Sequence, residues 1–208
     1  MQDLTLVIPA KHESESLPIF LKEINQFPCK KIIVLDENDF KTIDAIKNFN
    51  GIEILYQKKM GYGSAIIEGI NSVNTTFFCI INADGSMNPS YLSNMLKKVK
   101  KNRLDFLFAS RYEKPDGGSD DDNFITSIGN FFFTSIGNLF FSLNISDILF
   151  TYVLGKKEIF KNLKITSEDF TFCVELPIKA KRHQAKYQTM PSYERNRIGG
   201  LKKVNALK

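Results

Sequence analysis

The 208-residue chain reads as an α/β protein built on a mainly parallel sheet with helices on both faces. Three observations give that class. Short, near-continuous apolar runs recur through the first half. Amphipathic stretches separate them. The composition, 43% hydrophobic and 25% charged, is that of an ordinary globular chain, which excludes a disordered chain, a collagen or a coiled coil.

Taken in order, Leu4-Thr5-Leu6-Val7-Ile8 is a buried strand ended by Pro9. Pro18 to Gln26 is a helix with proline tolerated in its first turn. Lys31 to Leu35 is a strand, Thr42 to Asn48 a short helix, Ile52 to Tyr56 a strand and Ser64 to Ser72 a helix. Phe77 to Ile81 is the most hydrophobic strand. Asn88-Pro89 opens a helix that carries Leu92, Met95, Leu96 and Val99 on one face. Asp105 to Ala109 is a fifth strand. Ligands of open α/β sheets bind beyond the carboxyl ends of the strands. Those ends carry Lys11-His12-Glu13, Asp36 to Asp39, Gln57-Lys58-Lys59, Asn82-Ala83-Asp84 and Ser110-Arg111, all polar, as loops also are.

Beyond residue 112 the character changes. Glu113 to Asp122 is an acidic, Gly-containing loop, and Phe124 to Ser146 carries no charged residue. The latter holds a tandem near-repeat, Thr126 to Phe133 followed by Thr134 to Phe141. Its Ser, Thr, Asn and Gly make it too polar for a clean membrane span. It reads as one or two Phe-rich helices, either buried or lying in a membrane interface. Residues 156–163 and 170–182 read as helices and Tyr187 to Met190 as a strand.

Three scattered cysteines, Cys29, Cys79 and Cys173, point away from a disulfide framework or structural zinc and toward a reducing, cytoplasmic location. No basic, apolar leader opens the chain, so no signal peptide is expected. The net charge of +5 is uneven: residues 155–208 hold 13 Lys and Arg against 5 Asp and Glu. That is either a solvated basic end or a surface for an anionic partner, phosphates or a membrane among them. No basic stripe with interleaved aromatics supports a nucleic-acid partner.

Asn82-Ala83-Asp84 is either a turn at Asp84-Gly85 or a site where an acid holds a divalent cation on a diphosphate. Gly61-Tyr62-Gly63-Ser64-Ala65 opens a helix, but Ile66 stands at the third glycine position and the motif follows the third strand, which excludes a dinucleotide fingerprint. Two glycines there still allow close approach of a ligand. There is no Walker A sequence, and His12 and His183 have no metal-ligand spacing.

Several stretches follow one another across nearly the whole chain. They are Val7 to Glu13, Val34 to Asn38, Gly61 to Ala65, Asn82 to Ser86, Ala109 to Tyr112, Gly129-Asn130 with Asn138 and Ser146-Asp147, Phe172 to Glu175, and Pro191 to Lys203. In that order they resemble the family 2 glycosyltransferases of the GT-A fold, and among them the polyprenyl-phosphate (dolichyl-phosphate mannosyl-type) sugar transferases. The resemblance implies one GT-A domain over 1–208, with a nucleotide-sugar half over 1–112 and an acceptor-side half over 113–208. It implies a metal-dependent, inverting transfer from a nucleoside-diphosphate sugar, with a polyprenyl phosphate at a membrane surface as acceptor. Pro9, Ala10, Glu13, Asp36, Gly61, Gly63, Asn82, Ala83, Arg111 and Lys203 would bind the donor. Asp84, with Asn82 nearby, would hold Mg²⁺ or Mn²⁺. Asp84, Asp147, Glu175 and Arg197 would be catalytic, Arg197 and Lys203 closing over the phosphates and Asp147 and Glu175 facing sugar and acceptor.

The chain departs from the family pattern at three places. Asn82 replaces the first acid of Asp-x-Asp and removes a charge from the metal site. Asp147 to Val153 lacks the glycine and basic residue of the acceptor motif, and Lys202 replaces the serine of the separate closing motif at the end of Pro191 to Lys203. A domain that binds nucleotide sugar or lipid without turnover, or one that serves a hydroxyl acceptor, is the alternative expectation. Related members often end in transmembrane helices. No such span is visible here, which implies either peripheral attachment or a chain cut short.

Overall fold

The structure is a computed structural model describing residues 1–122 and 124–199. The first half alternates as the apolar runs dictate: β1 (Leu4–Pro9), α1 (Ser16–Ile24), β2 (Lys30–Leu35), α2 (Phe40–Ile46), β3 (Glu53–Tyr56), α3 (Tyr62–Ser72), β4 (Phe77–Ile80), α4 (Leu92–Asn102) and β5 (Phe106–Ser110). A 3-10 turn at Pro89–Tyr91 precedes α4, and the Asn88 side chain caps it by accepting from Ser90 N–H. The second half adds β6 (Gly118–Ser119), α5 (Phe124–Phe141), β7 (Val153–Lys156), α6 (Lys157–Leu163), α7 (Phe172–Arg182), β8 (Tyr187–Pro191) and β9 (Tyr193–Glu194).

Seven strands form one sheet in the order β3-β2-β1-β4-β7-β5-β8, and β6 pairs with β9 in a small second sheet. Alternation along each strand divides two apolar layers. Leu6, Ile33, Cys79 and Leu107 face α1 and α4, packing on Phe20, Leu21, Met95 and Val99. Val7, Val34, Ile80 and Phe106 face the opposite layer, where Ile66, Ile70, Phe160, Phe172 and Leu176 come from α3, α6 and α7. Helices therefore cover both faces, as the sequence predicts.

The sheet is mainly but not wholly parallel. β7 runs antiparallel between β4 and β5, and no strand is expected there from the sequence. Gly155 hides it, because it breaks the apolar run. The glycine is required in place: a Cβ would meet the Phe106 ring at 2.6 Å and the Phe78 ring at 2.8 Å. Its reversed direction has a consequence for the site. The residues that lead into β7, Phe150 and Thr151, arrive at the same sheet edge where the parallel strands end.

Candidate functional site

All five strand ends singled out in the sequence meet at one cleft of about 650 Å³. Pro9, Ala10 and Glu13 come from the end of β1, Asp36 from β2, Gln57 from β3, Asn82, Ala83 and Asp84 from β4, and Arg111 from β5. The opposite wall holds Asp121, Asp122, Thr126, Asn130, Phe150, Asp169, Phe170, Glu194 and Arg197. The volume is that of a small-molecule site.

Backbone and caps fix the first wall. Ala10 N–H donates to Val34 O at 2.8 Å. His12, at φ 54°, donates its N–H to Asp39 Oδ2 at 2.7 Å, and the same carboxylate caps α2 through Thr42 N–H. Burial pushes the Asp39 carboxyl up, but these bonds outweigh it and hold it below the usual aspartate value. Glu13 is buried and accepts from Ser16 Oγ. Asp36 accepts from Asn38 N–H at 2.9 Å.

Asp84 is at once a turn residue and a cleft residue. Its Oδ1 accepts from Ser86 N–H at 3.0 Å, and its Oδ2 lies 3.8 Å from Arg197 Nη1. Arg197 is gripped on its other side by Asp121, with contacts of 2.9 and 3.3 Å. The hydrogen bond to Asp121 and the charges of both acids raise the Arg197 pKa against the cost of burial. The segment that carries Arg197 is laced over the Asp84 turn. Ile198 N–H donates to Asp84 O and Arg195 N–H to Ser86 O, each at 2.8 Å, while the Arg195 guanidinium binds Gly85 O and Glu23. Lys203, and the rest of the closing motif from Gly200 onward, lie outside the described residues.

Asn82 reaches the cleft with its side-chain oxygen already engaged, accepting from Tyr62 Oη at 2.9 Å. Tyr62 also meets Thr151 Oγ1 at 2.5 Å and stacks on Phe170 with centroids 4.7 Å apart. The donor set is oxygen-only, and a cationic guanidinium sits between Asp84 and Asp121. Hard divalent cations take one or two carboxylates and complete their shell with phosphate oxygens and water, so these residues fit Mg²⁺ or Mn²⁺. Among the described residues no group of three or more His, Cys, Asp or Glu forms a metal cage.

Other expected residues lie elsewhere. Asp147 does not line the cleft. It is buried and clamped by Arg111, through Nε to Oδ2 at 2.7 Å and Nη2 to Oδ1 at 3.0 Å. Arg111 also contacts Glu194 at 3.2 Å and packs 4.8 Å from the Phe150 ring. Burial opposes its charge, but Asp147 and Glu194 more than restore it. Glu175 faces a loop instead of the cleft, accepting from Thr166 N–H at 3.1 Å and Ser167 N–H at 2.7 Å. Burial pushes its carboxyl up, but Lys179 and these N–H groups bring it down to about 2. Gly61 lines the cleft and Gly63 does not. The backbone that approaches both closely is the chain's own: a Cβ on either would strike the carbonyls of residues 167–169.

Asp121, Asp122, Asp169 and Glu194 are cleft carboxylates that motif reading passed over, although the run of acids at 120–122 was visible. Asp122 accepts from Tyr112, Thr126 and Ser127. Burial raises the Glu194 pKa against the pull of Arg111 and Ser119.

The model of the family described as glycosyl transferase family 2 matches residues 5–164. Two curated relatives are uncharacterized glycosyltransferases of Mycobacterium bovis and Mycobacterium tuberculosis. Each is 30% identical over 99 residues, which span 47% of this chain and 44% of theirs, so the match covers less than half the length of those relatives. Among solved structures, glucosyl-3-phosphoglycerate synthase from Mycobacterium tuberculosis, in complex with Mn²⁺, uridine-diphosphate and glucosyl-3-phosphoglycerate, is similar with a TM-score of 0.73. It is 10% identical, with 94% of this chain and 73% of that chain covered. TarS of S. aureus is similar with a TM-score of 0.62 at 12% identity, over 94% of this chain and 60% of that one. These likenesses establish the GT-A architecture.

Proposed function

The chain belongs to glycosyl transferase family 2, and on that premise we propose that it moves a sugar, with inversion, from a nucleoside-diphosphate donor to a lipid phosphate at the cytoplasmic face of a membrane. The observation that carries the donor half is the convergence of five strand ends on one cleft, with Asp84 and Arg197 side by side in it. Glu13 and Asp36, on the β1 and β2 side, are the donor's nucleoside contacts. Asp84 would hold Mg²⁺ or Mn²⁺, with Asp121 or Asn82 as its neighbour. When bound, the cation supplies charge neutralisation of the diphosphate. Arg197 adds a fixed positive charge on the diphosphate side, where it stabilises the departing nucleoside diphosphate. Lys203 belongs to the same closing segment and is assigned the same role.

Asp147 and Glu175 act through other groups. Asp147 holds Arg111 rigid at the cleft wall. Glu175 fixes the 166–169 loop and so Phe170 on Tyr62. A hydroxyl acceptor needs a carboxylate base within hydrogen-bond reach. The cleft acids Asp121, Asp122, Asp169 and Glu194 are each tied to arginine or hydroxyl partners. A phosphate acceptor is already an anion and needs only positioning, which is why it is preferred here. A solved structure of similar fold holds glucosyl-3-phosphoglycerate, and at 10% identity it bears on the fold alone.

The test is a transfer assay with a panel of labelled UDP- and GDP-sugars and Mn²⁺, offered polyprenyl phosphate, phosphoglycerate and a simple glycoside. Metal-dependent label in the lipid phase, with the inverted anomer seen by NMR, is expected. Label in phosphoglycerate or glycoside alone overturns the acceptor. Nucleotide binding with no transfer or hydrolysis for any donor favours the binding-only alternative that Asn82 suggests.

A further inference from the structure

Helix α5 is built inside out. Its inner face is polar: Asn130 and Thr134 are 2% and 7% exposed and accept from Leu149 N–H and Ile148 N–H. Asn138 donates to Ile145 O and accepts from Ile145 N–H. Its outer face is mainly apolar: Ile128, Phe131, Phe132, Leu139 and Phe140 are 52, 74, 59, 77 and 72% exposed, with exposed Ser135 among them. No residue of the helix is charged. Contiguous apolar strips of this kind on a soluble surface mark an interaction site.

The geometry points to a lipid surface as the occupant: α5 lies along the headgroup layer of an anionic membrane and holds the mouth of the cleft against it. This deepens the proposed function and rests on its lipid acceptor for the choice of occupant. Charge complementarity supports it. At the C-terminal end of α5 the Arg182 guanidinium stacks over Phe141 at 5.6 Å, with exposed Lys181 beside it in sequence. At the N-terminal end Asp121 turns inward to Arg197 and Asp122 to Thr126, Ser127 and Arg111, while exposed Asp120 accepts from Tyr193 Oη. Continuity with the site supports it too, because Thr126 and Asn130 of the same helix line the cleft. At 18 residues the helix is about 27 Å long. Among the described residues no helix is long and apolar enough to cross a membrane, so the mode proposed for α5 is to lie along the surface and not to span it.

Co-sedimentation of the full chain with vesicles of equimolar phosphatidylglycerol and phosphatidylcholine tests the inference. Wild type is expected to sediment, and the double variant F132S/F140S to partition at least about tenfold less. Both rings are exposed, so circular dichroism and the melting temperature should stay unchanged. R182E should lose about fivefold or more on these vesicles and nothing on pure phosphatidylcholine. Calorimetry with UDP or GDP and Mn²⁺ on the same preparations separates the two proposals. Nucleotide binding without vesicle binding overturns the docking surface alone, and vesicle binding without nucleotide binding overturns the donor site alone. A lipid-independent dimer in sedimentation equilibrium that F132S/F140S dissolves would make the face an interface between copies and contradict the inference.

Discussion

Arg111 ties the cleft wall to two buried acids, Asp147 and Glu194. Its side chain is 12% exposed, and the Asp147 carboxylate that it clamps is wholly covered. Removing one member of a buried pair leaves the other charged and unsolvated, which costs about 3–5 kcal/mol. Arg111→Ala should therefore lower the urea-unfolding free energy by about that amount. A loss under about 1 kcal/mol would show that water reaches Asp147. The motif Ala109-Ser110-Arg111-Tyr112 located Arg111 in the sequence, but its partner was not legible, since 36 residues separate it from Asp147. The family resemblance gives Asp147 a catalytic role, and residue type and order do not show that its carboxylate meets Arg111 in the fold.

Among elements, the loop between α6 and α7 depends on Glu175 in the first turn of α7. Its carboxyl, held at about 2 in the fold against an ordinary value of 4.5, contributes stability that is fully present above 4.5 and lost as pH falls toward 2. Glu175→Gln should cost about 1–2 kcal/mol at neutral pH, and the gap from wild type should close on acidification. A gap that widens as pH falls would reverse the assigned sign. Gly61 meets the same loop at φ 127°, where a side chain would strike Glu168 O. Gly61→Ala should cost about 1–3 kcal/mol and weaken nucleotide binding by displacing Asp169 and Phe170. Unchanged proteolysis of the 166–170 loop would contradict this.

The elements of the first half were legible because a buried parallel sheet needs apolar runs and the intervening helices need one apolar stripe. β7 was not, since its Gly155 serves packing and leaves no pattern. The direction of α5 was not either. Periodicity shows that a helix has two unlike faces, and the usual rule turns the apolar one inward. Here the loop over 145–149 has backbone groups that Asn130, Thr134 and Asn138 must satisfy, so the polar face goes in.

At the scale of the whole molecule, the sheet, the acidic loop and the closing segment converge on Asp84. Three cysteines lie apart in the fold as free thiols, Cys79 and Cys173 buried and Cys29 half-buried. The basic end has a definite task in its described part, where Arg195 and Arg197 fasten the closing segment across the Asp84 turn.

The most direct measurement is titration calorimetry of UDP and GDP, with and without Mn²⁺, into wild type and Asp84→Ala. Wild type should bind one of the two nucleotides with a clear requirement for Mn²⁺, and Asp84→Ala should lose the metal-dependent part, at least about tenfold in affinity, while keeping its melting temperature. Binding that ignores both Mn²⁺ and the loss of Asp84, or no binding of either nucleotide, would contradict a metal-assisted nucleoside-diphosphate site in this cleft.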